Sequence, residues 1–294
     1  MTIKEGYMPY LDYKTYYRIV GEENKDKAPF VVLHGGPGST HNYFEVMDEM
    51  AKKENRQIVM YDQLGCGLSS MPDEPSLWKS STWINELVAL REHLGLDEIH
   101  LLGQSWGGMM AIEYLCDYAP KGVKSVILSS TLPSSKLLGE EQHSLIKYLS
   151  KEDQEAIRIA EETNDFSSEA YLTANDHFMV RHAADNPSPE LPEPLRRKKN
   201  SGAQAYLYAW GPNEYTPSGT LKDFNYVDKL HTIKTPTLIT SGADDLCTPY
   251  IAKMMHDKIP NSTWELYQYS RHMPFVDQHE EYMPMLAEWL NKHD

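Results

Sequence analysis

Three cysteines in 294 residues are too few and too scattered to organise a fold. Cys66, Cys116 and Cys247 have no C-x-x-C spacing, which excludes a disulfide framework and a zinc site and fits a reducing compartment. Positive charge is also scarce: 28 Lys and Arg stand against 43 Asp and Glu, a formal net charge of −15. Long-range repulsion then disfavours nucleic acid and anionic membrane as partners and mildly favours the approach of cationic substrates. A plain acidic surface accounts for most of the excess. No uninterrupted apolar run is long enough to span a bilayer. The first residues, Met1-Thr-Ile-Lys-Glu-Gly-Tyr, lack the apolar stretch that a signal peptide needs. The expectation is a cytoplasmic protein with no membrane insertion; attachment to a cell envelope through a partner would leave no trace in composition. Internal repeats and low-complexity tracts are absent.

What is present is ordinary for a globular protein: 40% hydrophobic and 24% charged residues. The length fits about two domains, or one α/β domain with an insertion. Short apolar runs read as strands at Tyr16–Val20, Phe30–Leu33, Gln57–Tyr61, Ile99–Leu102, Val123–Ser129, Pro236–Thr240 and Trp264–Tyr269. Helical patterns fall between several of them, near Trp83–Leu94, after Ser105, near Tyr250–Lys258 and over Glu281–Asn291. Buried runs alternating with helices predict a doubly wound, mainly parallel sheet with its active loops at the strands' carboxyl ends. The rhythm breaks from about Pro133 to about Leu230. That stretch is polar, with helix-like segments at Glu140–Leu149 and Asp153–Thr163 and four prolines between 187 and 194. It reads as a helical cap, residues 134–232, inserted into a core of residues 1–133 and 233–294. The proline cluster reads as a rigid surface connection.

The most informative motif is Gly103-Gln-Ser-Trp-Gly-Gly108, a G-x-S-x-G sequence placed directly after the apolar run Ile99–Leu102. A strand, a turn too sharp for ordinary residues and then a helix make a nucleophile elbow, which holds the Ser105 hydroxyl out to substrate. Gly103 and Gly107 are needed where strand and helix pack too closely for a Cβ. A serine hydroxyl needs a base, and the base needs an orienting acid. In α/β-hydrolases they follow in the order Ser, acid, His. His272, in Ser270-Arg-His-Met-Pro274, is the candidate base; His256, His279 and His293 fall in segments expected to be helical and exposed. The acid is Asp244 or Asp245 in Gly242-Ala-Asp-Asp-Leu-Cys-Thr-Pro249, and counting from both ends of the loop favours Asp245. His34-Gly-Gly-Pro-Gly38 follows another strand and fits a loop that donates an oxyanion N–H, assigned to Gly36; the second donor is the N–H of Trp106. Losing one such donor costs on the order of 3 kcal/mol in the transition state. A phosphate-binding loop is the weaker reading, because neither G-x-x-x-x-G-K-S/T nor G-x-G-x-x-G occurs there.

Together, His34-Gly-Gly-Pro-Gly, Asp62-Gln-Leu-Gly-Cys-Gly-Leu-Ser69, Gly103-Gln-Ser-Trp-Gly-Gly and Gly211-Pro-Asn-Glu-Tyr215 resemble the proline iminopeptidase (prolyl aminopeptidase) family, serine peptidases on the α/β-hydrolase fold. The resemblance runs over nearly the whole chain and is thinnest at 134–200. It implies release of an N-terminal proline, with other small residues left open, from short peptides through a prolyl-enzyme, with no metal or organic cofactor. It also implies that Glu214 binds the substrate's charged N-terminus. Tyr206 and Trp210 are candidates for lining the proline pocket, although aromatic residues at helical spacing are more often core. Some members place a second acid just after the triad aspartate, where this chain has Leu246. An esterase, lipase or other amide hydrolase on the same fold is the alternative; a non-catalytic binding protein on a hydrolase scaffold predicts a missing triad member, and none is missing. Dehalogenase and epoxide-hydrolase chemistry is disfavoured because the elbow holds Ser where those enzymes hold Asp.

Overall fold

The computed structural model describes residues 2–294. Eight strands form one sheet: β1 (Ile3–Tyr10), β2 (Tyr13–Val20), β3 (Phe30–Leu33), β4 (Ile58–Tyr61), β5 (Ile99–Gln104), β6 (Val123–Ser129), β7 (Thr237–Gly242) and β8 (Ser262–Tyr267). Their order is β1-β2-β4-β3-β5-β6-β7-β8. β1, β2 and β4 pair antiparallel, and every later pairing is parallel. The parallel core matches the expectation; strand β1 was not foreseen. It lies at the sheet edge with mostly exposed residues, and its sequence carries Gly6 and Pro9, so its apolar signal is weak. The last two strands are displaced from expectation, ending at Gly242 and Tyr267 rather than Thr240 and Tyr269.

The central strands are buried on both faces, and side-chain alternation divides the core in two. Val31, Leu33, Val59, Leu101, Val126 and Ile239 point to one layer; Phe30, Val32, Ile58, Met60, Leu102 and Ile127 point to the other. The first layer is closed by α2 (Ser80–Leu94) and α3 (Trp106–Glu113) together with a later helix, α9 (Pro249–Lys258). The second is closed by α1 (Asp48–Lys53), α10 (Pro274–Asp277) and α11 (His279–Lys292).

Between β6 and β7 the chain forms α4 (Ser135–Ile146), α5 (Lys151–Thr163), α6 (Glu169–His182), α7 (Glu193–Arg196) and α8 (Ala203–Ala209), with no strand. Ser134, Ser150 and Ser168 cap α4, α5 and α6 by accepting the backbone N–H three residues on. The short α7 sits inside the proline-rich stretch. The segment is tied to the sheet side at several points: Gly202 N–H donates to Gly38 O at 2.7 Å, Gly67 N–H donates to Asn200 O at 2.8 Å, and Arg197 pairs with Glu45 at 2.8 Å.

Candidate active site

Parallel pairing brings the sequence motifs together. Leu33 lies opposite Gly103 in the ladder between β3 and β5, so the loops that leave these strands are neighbours. Ser129 opposes Thr240, and Gly242 opposes Tyr267, which brings the loops after β7 and β8 to the same edge. Glycine is dictated at the crossing of β5, α3 and β3. A Cβ on Gly107 would lie 2.2 Å from Leu33 O, and one on Gly103 would lie 2.2 Å from Gly107 O. The strained backbone is not on these glycines but on Ser105 itself, at φ 55° and ψ −120°.

The loop after β7 buries Asp245 and leaves Asp244 exposed. Asp245 Oδ1 accepts from His272 Nδ1 at 2.7 Å and from the Cys247 N–H at 2.8 Å. The ambiguity between the two aspartates therefore resolves in favour of Asp245 as the partner of His272. Helix α6 braces both loops: His182 Nδ1 bonds Asp244 O at 2.9 Å, Leu246 N–H donates to His182 O at 3.1 Å, and His272 N–H donates to Ala183 O at 3.2 Å. Sequence reasoning missed His182, which no motif marks. Burial works to lower the His272 imidazole, but the charge and hydrogen bond of Asp245, with Glu214 and Asp277 further off, raise it above its ordinary value. The Ser105 hydroxyl makes no hydrogen bond to His272 here, although both line one cavity. The other expected histidines are half-buried rather than exposed, each bound locally: His256 to Ser262 Oγ, His279 to Phe275 O and His293 to Trp289 O.

Gly36 lies at φ 114°, and a Cβ there would meet the Gly38 and Ser39 nitrogens at 2.6 and 2.7 Å. Among the described residues, the Gly36 and Trp106 amides have no hydrogen-bond acceptor. The Trp106 indole is buried and donates to Gln63 Oε1 at 2.8 Å; Gln63 Nε2 donates to His34 O at 2.9 Å, and the Gln63 N–H donates to His34 Nε2 at 3.0 Å. This chain of bonds locks the His34–Gly38 loop to the elbow. Burial holds His34 at about 4, so it stays a neutral acceptor. The Asp62–Ser69 motif thus gains a structural reading.

The cavity has a volume of about 530 Å³ and includes Gly36, Ser105, His272, Glu214, Tyr206 and Lys199 in its wall. Glu214 is its one carboxylate. Tyr206 Oη donates to Glu214 Oε1 at 2.8 Å, so Tyr206 orients the carboxylate as well as lining the wall. Burial raises the Glu214 carboxyl, while the Tyr206 hydrogen bond and the His272 charge pull it down; the net shift is upward. Trp210 packs behind Glu214 and donates Nε1–H to its carbonyl at 3.2 Å. Leu246 is buried and supplies no second acid. Asp245, Cys247 and His272 place a carboxylate, a thiol and an imidazole within 4.8 Å of one another. Burial and the Asp245 charge push the Cys247 thiol well above its ordinary value, and His272 Nδ1 is committed to Asp245, so the set reads as triad packing. Among the described residues no helix is long and apolar enough to cross a membrane.

An elbow serine, a histidine–aspartate pair and a glycine loop at the carboxyl edge of a doubly wound sheet define a serine hydrolase of the α/β-hydrolase class, and the family profile described as alpha/beta hydrolase fold matches residues 28–278. Two proline iminopeptidases, from Clostridium botulinum and Lactobacillus helveticus, are 60% and 59% identical to the chain, each over 100% of both sequences. The crystal structure of proline iminopeptidase from Mycobacterium smegmatis superposes with a TM-score of 0.86 at 27% identity, covering 99% of this chain and 98% of that one. The chain belongs to the proline iminopeptidase family.

Proposed function

We propose that this protein is a serine aminopeptidase that releases N-terminal proline from short peptides. Ser105 Oγ attacks the carbonyl of the first residue while His272 takes its proton and Asp245 holds the imidazole in the required tautomer. The oxyanion is received by the Gly36 and Trp106 amides, which have no competing acceptor. His272 then protonates the leaving amine, and a water activated by His272 hydrolyses the prolyl-enzyme. Residues 134–232 act as a cap that supplies Glu214 and Tyr206 and limits the length of chain that can enter.

The observation that carries this reading is Glu214: a half-buried carboxylate in the wall of the same cavity as Ser105 and His272, oriented by Tyr206 and, among the described residues, in no ion pair with a Lys or Arg. A protonated imino nitrogen supplies the missing countercharge, and that pairing distinguishes an aminopeptidase from an esterase. The names of the relatives support the same substrate. The test compares proline, alanine and leucine anilides and a short-chain ester, using wild type and Ser105→Ala. Proline anilide is expected to turn over fastest, and Ser105→Ala is expected to lose at least about 10³-fold. Ester turnover with no anilide turnover would overturn the peptidase assignment.

A further inference from the structure

Lys199 is the one ammonium group in the cavity wall. Arg197 pairs with Glu45 and Glu193, and Arg271 pairs with Asp185 and Asp277, while Arg196 and Lys198 are exposed to solvent and lie outside the cavity wall. Among the described residues Lys199 has no carboxylate within ion-pair distance; its Nζ lies 5.1 Å from the centroid of the Tyr43 ring. Desolvation alone acts on it, lowering its ordinary value, and no acid offsets that. An unmatched, half-buried ammonium in a chain of net charge −15 is a cost that a bound anion would offset.

Its position is fixed rather than incidental. The strap between α7 and α8 is pinned on both sides of Lys199, by Arg197 to Glu45 and by the backbone bonds from Gly67 to Asn200 and from Gly202 to Gly38. Tyr43, under the ammonium, receives the Gly35 N–H at 2.6 Å and donates to Gln104 Oε1 at 2.9 Å, so its ring is anchored to the loops that flank Ser105. The wall of the cavity thus carries one carboxylate, Glu214, and one ammonium, Lys199, and among the described residues no ion pair joins them. A free dipeptide is a zwitterion with the same two charges, its ends about 7 Å apart when extended.

We propose that Lys199 forms a carboxylate subsite on the leaving-group side, which binds the free C-terminal carboxylate of a short peptide whose N-terminus is held at Glu214. This rests on the aminopeptidase reading and adds the chemistry of the far end of the substrate. Peptide amides lack that carboxylate, so the subsite selects for free acids by charge.

The experiment measures kcat/KM for Pro-Ala and Pro-Ala-amide with wild type, Lys199→Met and Lys199→Arg. Wild type is expected to prefer the free acid about tenfold, mostly through KM; Lys199→Met is expected to bring the ratio close to one, and Lys199→Arg to restore most of it. Continued turnover of the amide by Lys199→Met reports that the variant is folded. A ratio unchanged by Lys199→Met, or a wild-type ratio of one, overturns the subsite. Failure of wild type to cleave proline anilide removes the aminopeptidase reading itself, and this proposal with it. Cleavage of the anilide with no acid preference sinks the subsite alone.

Discussion

At the scale of residues, the proposed role of Glu214 links substrate and base. The proposal gives it the cationic N-terminus of the substrate, and its charge contributes to holding the His272 imidazole above its ordinary value. His272 must be neutral to accept the Ser105 proton. The acidic limb of kcat/KM is therefore expected above the ordinary imidazole value of about 6.5. Glu214→Gln removes one of the charges that raise His272, so the limb is expected to move to lower pH. A pH profile of proline anilide hydrolysis checks both, and a limb that stays in place in the variant would contradict the coupling. Much of this chemistry was legible because Ser105, Asp245 and His272 sit in short motifs with fixed order. The choice between Asp244 and Asp245 needed the fold: Asp244 gives its carbonyl to His182, and the turn carries Asp245 inward. Lys199 and His182 belong to no motif, and only the folding of the segment between β6 and β7 brings them to the candidate site.

At the scale of elements, close packing at the elbow places Ser105, the proposed nucleophile. Strand β3 and helix α3 touch through Gly107, so Gly107→Ala must push its methyl into the Leu33 carbonyl. Neighbouring backbone cannot yield cheaply, and a loss of more than about 3 kcal/mol is expected, read as a fall in the denaturant midpoint. A variant as stable as wild type would show that the β3–α3 contact is loose. The same contact explains why the parallel core was readable from sequence: its strands are short, apolar and buried on both faces, and helices separate them. The edge hairpin was not, because β1 presents one face to solvent and alternates weakly. Helices α6 and α8 were also unread. α6 buries only Tyr171, Ala174, Phe178 and His182 among many polar residues, and α8 spans seven residues.

At the scale of the molecule, two histidines give the fold an acid limit. His34 and His100 are fully buried and are held at about 4, mainly by desolvation. Unfolded, each takes a proton near pH 6.5. Between these values the unfolded chain binds protons at these two sites that the native protein does not, so their contribution to stability is full above pH 6.5 and is lost as pH drops toward 4. Each shift amounts to about 3 kcal/mol at its limit. Buried Glu86, held at about 8, keeps a proton in the native protein across much of the same window and offsets one of the two rings, so the melting temperature is expected to decline gently toward pH 4 and the decline to be shallower in His100→Asn; an identical slope in the variant would contradict the assignment to His100. His100 also faces Asp294, which pairs with buried Arg56 at 2.6 Å, so acid strain at this point reaches the last residue of the chain.

The central claim is the proposal that the half-buried Glu214 carboxylate reads the cationic nitrogen of the substrate. It is tested most directly by kcat/KM for proline anilide in Glu214→Gln, with cooperative thermal melting as the control for folding. Removal of one partner of a buried charge pair predicts a loss on the order of 10²-fold. Unchanged kcat/KM in a folded variant would contradict the account.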